Sequence, residues 1–494
     1  MHLRHARQAA ALLLCAFPAL AATCESLASA KPGAATVTLA QPVAATGRVP
    51  AYCRVSGVIK PSADSDIRFE VWLPDQWNGK LAGAGNGGYA GSLNTRAMAG
   101  PLSRGYATVT TDTGHEAGDV DATWALGHPE RIVDFGYRAI HEAAVAAKAL
   151  IAAYYSKPAR HAYFNGCSNG GRQALMEAQR FPGDYDGIIA GAPANYWTHL
   201  LAGATDLAQD IAREPAAYIP PSKLPAIQAA TLGACDAADG VKDGIIGDAP
   251  GCKFDPGVLL CKHDDSDACL TAPQVSLLKK IYAGPHSKSG KPLYYGYEPG
   301  AETGPGGWST WITGSGPDNS LGYKFSTQFF SQMVYEDAHW DFRKFDADRD
   351  IAAADRKFAA TLNATDPNLK PFEDGGGKLI LYHGWSDPAI PPVNAIHYYE
   401  DVQSKMGSAP TAPFVRLYMA PGVQHCGGGP GPGNFIGNME TALEQWVENG
   451  KAPDMIIAKG AERTRPLCPY PQVARYKGSG SINDAANFSC AAKP

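Results

Sequence analysis

Apolar positions near the start of the chain fall in short alternating or β-branched runs. Val37-Thr38-Leu39, Cys53–Ile59 and Ile67–Pro74 are such runs, so residues 24–81 read as β-rich. Tyr106–Asp112 predicts a further short strand. The period then changes. Ile140, Ala144, Ala147, Leu150 and Ile151 recur near helical spacing and predict a long helix over Ile132–Tyr155. Tyr163 to Gly166 reads as the end of a strand, Gln173–Arg180 as a helix without breakers, and Tyr185–Pro193 as a buried strand. This β/α alternation from about residue 66 to 193 predicts a right-handed parallel sheet. It stops over 196–370, where glycine, proline and aromatics are frequent and helices are scattered. It resumes at Lys378–Gly384 and again at Val415–Met419. The expected class is therefore α/β: a sheet domain over 22–195 and 371–494, with 196–370 inserted as a lid.

Between the strand and the helix of residues 163–180 lies Gly166-Cys167-Ser168-Asn169-Gly170. Gly-x-Ser-x-Gly in that context is the layout of a nucleophile elbow, with Ser168 as the nucleophile. The amide of Asn169, at the helix start, is a candidate oxyanion donor. The glycine-rich stretch Leu81–Gly91 offers a second donor from Gly87 or Gly88. It lacks the lysine and following helix of a phosphate cradle. On this fold the acid and then the base follow the serine. Asp387 lies in the loop after the strand Leu379–Tyr382, and His425 in the loop after Val415–Met419. His383, four residues before Asp387, is the alternative base.

The 494 residues are 45% hydrophobic and 18% charged, with a net charge of −5 and no basic run. That composition points to neither nucleic acid nor an anionic membrane as partner. His2, Arg4, His5 and Arg7 precede the apolar run Ala9–Phe17 and an Ala19-Leu20-Ala21 site, so residues 1–21 read as a signal peptide. The expected location is secreted or periplasmic. Of eleven cysteines, Cys15 falls in that segment and ten remain, with no C-x-x-C pair, which favours disulfides over a metal cluster. Cys167 precedes Ser168 and Cys426 follows His425. If serine and histidine meet, these sulfurs lie within bonding reach. The loop Cys235–Ile246 spaces Asp236, Asp239 and Asp243 among glycines. Residues alone leave it open between a solvated acidic turn and a calcium site; it is not an EF-hand.

These motifs resemble the tannase and feruloyl esterase family of α/β-hydrolases. The resemblance rests on Cys167-Ser168, Asp387 and His425-Cys426, with Gly85–Gly91, Thr110–His115, Trp340–Arg343 and His383–Pro388 as further similar stretches. It implies an α/β-hydrolase fold and a serine esterase acting on aromatic acid esters through Ser168, His425 and Asp387. It implies a structural calcium held by Asp236, Asp239 and Asp243 with the carbonyls of Val241 and Ile245, and no organic cofactor. It also implies the disulfides Cys24–Cys53, Cys167–Cys426, Cys235–Cys252, Cys261–Cys269 and Cys468–Cys490. The family includes mono(2-hydroxyethyl) terephthalate hydrolases, so feruloyl esterase, tannase and terephthalate monoester hydrolase all stand as readings, with feruloyl-type preferred. A non-catalytic binder of phenolics and a serine peptidase are the rivals from other classes. Trp308, Trp311, Phe325, Phe329 and Phe330 are candidates to stack on the acyl ring. Arg343 and Lys324 are candidates to hold a substrate carboxylate.

Overall fold

The structure is a computed structural model and describes residues 22–493. The expected signal peptide, with Cys15, lies outside the described residues. Nine strands form the main sheet: β1 (Ala35–Val43), β2 (Tyr52–Ile59), β3 (Ile67–Pro74), β4 (Lys80–Ala84), β5 (Ala107–Thr111), β6 (His161–Cys167), β7 (Gly187–Gly191), β8 (Lys378–Gly384) and β9 (Val415–Ala420). Their spatial order is β1-β2-β3-β5-β4-β6-β7-β8-β9.

From β5 through β4 to β9 all neighbours are parallel. β1, β2, β3 and β5 pair antiparallel. The expectation of a parallel sheet from residue 66 therefore holds only from β4 onward. The exception is β3, which lies antiparallel to β5 with Phe69 opposite Thr111 and so continues the antiparallel run β1-β2-β3 into the sheet.

Side chains of the central strands alternate between two apolar layers. Ile188, Ala190, Leu379, Leu381 and Leu417 pack with the helices Ala139–Tyr155 and Val393–Met406. Ile189, Ile380, Tyr382 and Tyr418 pack with Met439, Leu443 and Trp446 of the helix Ile436–Asn449. Burial on both faces explains why β5 and β7 read as unbroken apolar or β-branched runs. This is an α/β fold with helices on both sides of a mixed sheet. The helix expected over Ile132–Tyr155 is present, with one π-helical turn at Asp134–Arg138.

No strand joins the main sheet between β7 and β8. That segment is more helical than its glycine and proline content predicts, with long helices at Trp197–Arg213 and Ala347–Leu362. Leu200, Leu201, Ile351, Ala354 and Phe358 on these two helices share one buried cluster. Five disulfides form: Cys24–Cys53, Cys235–Cys252, Cys261–Cys269 and Cys468–Cys490 close short loops, and Cys167–Cys426 joins positions 259 residues apart. Among the described residues no helix is long and apolar enough to cross a membrane.

Candidate active site

β6 ends at Cys167 and a helix starts at Asn169, which leaves Ser168 alone in the turn with φ 66° and ψ −125°. A residue with a side chain rarely adopts that conformation, and here the surroundings hold it. The Ser168 N–H donates to the Gly191 carbonyl (3.0 Å), and the Ser168 carbonyl accepts from Ala194 and Arg172 (both 3.1 Å). A Cβ at Gly166 would lie 2.3 Å from the Gly170 carbonyl oxygen, and one at Gly171 would lie 2.3 Å from that of Gly191. Gly166 of the motif and Gly171 just after it are thus required by close backbone approach, while a Cβ at Gly170 would press on the Asn86 carbonyl at 3.1 Å.

Asp387 and His425 come together at the C-terminal ends of β8 and β9. His425 Nδ1 lies 2.8 Å from Asp387 Oδ2. The other carboxylate oxygen, Oδ1, accepts the N–H groups of Ala389 (2.8 Å) and Ile390 (3.1 Å). Burial opposes the charge on Asp387, yet the two histidines outweigh it and hold the carboxyl below the usual carboxylate range. The second histidine is His383, fully buried, with Nε2 3.1 Å from Asp387 Oδ2 and 3.1 Å from the Ile390 carbonyl. His383 is thus sealed away from the pocket, and His425 is the base candidate with an open side. Cys167 and Cys426 are bonded, with Cα atoms 5.9 Å apart, which brings the backbones of Ser168 and His425 together. Among the described residues no hydrogen bond joins Ser168 Oγ to His425.

The Asn169 N–H lies in the first helical turn, where amides lack an intrahelical acceptor. Gly88 faces the same pocket as Ser168 and Asn169, whereas Gly87 does not line it. Gly88 has φ +53°, and a Cβ there would come within 2.2 Å of the Asp119 carbonyl. The next residue, Tyr89, donates its N–H to that carbonyl and accepts at its own carbonyl from His115 Nε2, 2.8 Å away. His115 stacks on Trp124 at 3.7 Å, and burial pulls its imidazole down to about 4. The Thr110–His115 stretch therefore buttresses the glycine loop from below.

A model of tannases and feruloyl esterases matches residues 53–491. The chain belongs to the tannase and feruloyl esterase family. It is 44% identical over 492 residues to an uncharacterized esterase of Xanthomonas campestris, a match spanning 90% of this chain and 85% of that one. It is 35% identical to a mono(2-hydroxyethyl) terephthalate hydrolase of Piscinibacter sakaiensis, over 96% of this chain and 92% of that one. The crystal structure of feruloyl esterase B from Aspergillus oryzae superposes with a TM-score of 0.86 at 29% identity, covering 95% of this chain and 99% of that one. The protein is a carboxylic ester hydrolase.

The esterase pocket at Ser168 is walled by Trp197, Leu200, Leu201, Ala204, Tyr297, Trp311, Gly322 and Phe325 from the β7–β8 segment, and by Ala389 and Ile390. Of the five aromatics proposed for stacking, Trp311 and Phe325 line it. Trp308, Phe329 and Phe330 are buried in apolar clusters instead. Trp197, Leu200, Leu201 and Tyr297 escaped the sequence reading; the amphipathic run Trp197–Arg213 was the available signal for the first three, and nothing marked Tyr297. No lysine or arginine lines the pocket. Arg343 is exposed and paired with Asp341 at 3.3 Å, and Lys324 is not among the lining residues.

Arg172 also escaped notice. Fully buried, it donates to Asn169 Oδ1 through Nε (2.9 Å) and Nη2 (2.7 Å), and to the carbonyls of Gly136 (2.8 Å) and Phe135 (3.0 Å). Those carbonyls belong to the π-helical turn Asp134–Arg138. Arg172 thereby braces Asn169, the residue beside Ser168; its only cue in the sequence was its place after Gly170-Gly171.

In the esterase loop 235–246, Asp236 accepts the N–H groups of Asp243 (3.1 Å) and Gly244 (3.0 Å), Asp239 that of Val241 (3.0 Å), and Asp243 that of Ile245 (3.1 Å). Burial, then the charges of Asp243 and Asp236, push the Asp239 carboxyl up to about 6. Arg465 and Arg463 pair with the free oxygen of Asp243. The donors are hard oxygens in a charge-crowded loop, which suits calcium chemically. They are not drawn tight: among the described residues the only trio of potential ligand atoms within 4.8 Å is Cys261, Asp265 and Cys269, and its two sulfurs are bonded to each other.

Proposed function

We propose that the protein is an exported serine esterase of neutral aromatic acid esters, feruloyl-type in preference to galloyl or terephthalate monoester. His425 Nε2 takes the Ser168 proton as the serine oxygen attacks the ester carbonyl. Asp387 holds the Nδ1–H tautomer and balances the imidazolium. The N–H groups of Asn169 and Gly88 receive the oxyanion. His425 then protonates the departing alcohol, and water releases the acid from the acyl-enzyme by the reverse proton path. The segment 196–370 acts as the lid, supplying the ring-binding wall from Trp197 to Phe325.

The observation that carries the substrate class is the pocket wall itself. Besides Ser168 and Asn169, its polar side-chain groups are the Tyr297 phenol and the indole N–H groups of Trp197 and Trp311, and none carries a charge. A terephthalate monoester brings a carboxylate that would lose its water without gaining a cation. A galloyl ring brings three hydroxyls to one phenol and two indole N–H groups. A feruloyl ring brings mostly apolar surface. The test compares kcat/KM for methyl ferulate, methyl gallate and the terephthalate monoester, with Ser168→Ala as control. Methyl ferulate is expected to lead; a leading terephthalate monoester overturns the substrate class, and an active Ser168→Ala overturns the mechanism.

Two further parts of this reading have separate support. Ten cysteines paired in five disulfides suit an oxidising compartment, so the protein is taken as secreted or periplasmic. Calcium would be held by Asp236, Asp239 and Asp243 with the carbonyls of Val241 and Ile245, supplying positive charge to a crowded acidic loop and taking no part in the chemistry.

A further inference from the structure

His383 is given no task by the triad, yet it is buried without exposure against the triad's carboxylate. Its Nε2 meets two groups, Asp387 Oδ2 and the Ile390 carbonyl, each at 3.1 Å. Neither can donate, because the carboxylate is ionised and a carbonyl has no hydrogen. Nε2 must therefore carry the hydrogen. Nδ1 is buried and has no partner. A second hydrogen there would be a buried donor without a partner, which is costly, so the geometry favours the tautomer with its hydrogen on Nε2. Asp387 Oδ2 is thus shared by two imidazoles: His425 Nδ1 at 2.8 Å on the pocket side and His383 Nε2 on the core side.

We propose that His383 is a positioning residue for the ester hydrolysis: its Nε2–H pins Asp387 Oδ2 so that the same oxygen is aimed at His425 Nδ1. The inference rests on the triad reading above. Ala389 and Ile390 already fix Oδ1, so without His383 the carboxylate could still pivot about that oxygen and turn Oδ2 away from the base. His383 also draws charge from Oδ2. Removing its hydrogen leaves more negative charge facing His425, which favours the imidazolium and raises the pH at which the base becomes active. The other titratable groups facing Asp387 are the phenols of Tyr294, Tyr297 and Tyr382, all pushed up by burial and so neutral in that range.

The test pairs His383→Met, which fills the space without a donor, with His383→Gln, whose amide can place an N–H where Nε2 stands. With methyl ferulate, His383→Met is expected to lower kcat on the order of 10- to 100-fold at nearly constant KM. It should also raise the acid limb of the kcat/KM profile by about half a pH unit or more. His383→Gln should restore most of both. Wild-type kcat with an unmoved acid limb in His383→Met overturns the proposal, as does equal loss in both variants with an unmoved limb, which is the signature of packing alone. Should His383→Met fail to fold, proton NMR of the full protein decides. A low-field imidazole N–H should persist in His425→Ala and vanish in His383→Gln; its absence in His425→Ala overturns the proposal. If Ser168→Ala stays active, the triad reading fails while that resonance remains, so the two failures can be told apart.

Discussion

Trp311 and His425 pack edge-to-face, with centroids 4.9 Å apart and planes at 69°, and Trp311 also lines the pocket at Ser168. One side chain therefore packs His425 and walls the pocket at Ser168. Trp311→Ala should cut kcat/KM for methyl ferulate roughly tenfold more than for a small acetate ester, since only the aromatic acyl group loses a stacking partner. Equal losses on both esters would mean that Trp311 serves His425 alone.

The Cys167–Cys426 bond closes a 259-residue separation and sits one residue from both Ser168 and His425. In the chain-entropy picture such a closure is worth on the order of 5 kcal/mol. The local effect should be the more telling. The double variant Cys167→Ala with Cys426→Ala, assayed at a temperature where circular dichroism shows it folded, should lose at least about tenfold in kcat. Undiminished kcat in the folded variant would reduce the bond to a staple for stability.

Legibility in the sequence followed the range of the interactions involved. The elbow is local: Gly166, Ser168 and Gly170 answer to one another within a single turn, and their spacing is visible in the string. Asp387 and His425 were legible because each ends an apolar strand run. Arg172 was not, because its carbonyl partners Phe135 and Gly136 lie 37 and 36 residues upstream, in a π-helical turn that nothing in the residue pattern marks. Trp308 and Trp311 make the same point within one short helix. The first is buried in an apolar cluster and the second reaches the pocket, and nothing in the residues three apart tells them apart. The parallel sheet was over-extended to β3 because strand direction depends on partners, which alternation of apolar residues does not name.

Calcium should act on stability, not on chemistry, since the acidic loop contributes no side chain to the Ser168 pocket. If the proposed site binds it, calcium at about one hundred times its Kd would stabilise the fold by about 2.7 kcal/mol through linkage. Chelation should accordingly lower Tm by a few degrees while leaving kcat at 25 °C unchanged, and Asp239→Asn should abolish the calcium-dependent part of Tm. No heat of binding on titrating calcium into chelator-treated protein, together with an unmoved Tm, would reject the site.

Asp112 lies at the end of β5 under the glycine loop, with Oδ1 accepting the N–H groups of Gly114 (2.8 Å) and Arg68 (3.0 Å) and Oδ2 buried without a partner. Burial pushes its carboxyl up to about 7, against the lowering effect of those amides and of the Arg68 charge. An unfolded aspartate titrates near 4. Between about pH 4 and pH 7 the folded protein thus keeps a proton that the unfolded chain has lost. Stability from this group is fully present below about pH 4, declines as pH rises, and is gone above about pH 7. Asp112→Asn cannot ionise and can accept the same two amides. Its Tm should therefore gain on wild type as pH is raised from 4 to 8, by the equivalent of about 2–4 kcal/mol. His115 works in the opposite direction, because burial keeps it neutral and its contribution is lost as pH falls from about 6.5 toward 4. It is common to both proteins, so it cancels in the difference between their curves. Two Tm curves that run parallel from pH 4 to pH 8 would show that Asp112 is ionised in the fold across that range, and that the glycine loop rests on a charged carboxylate.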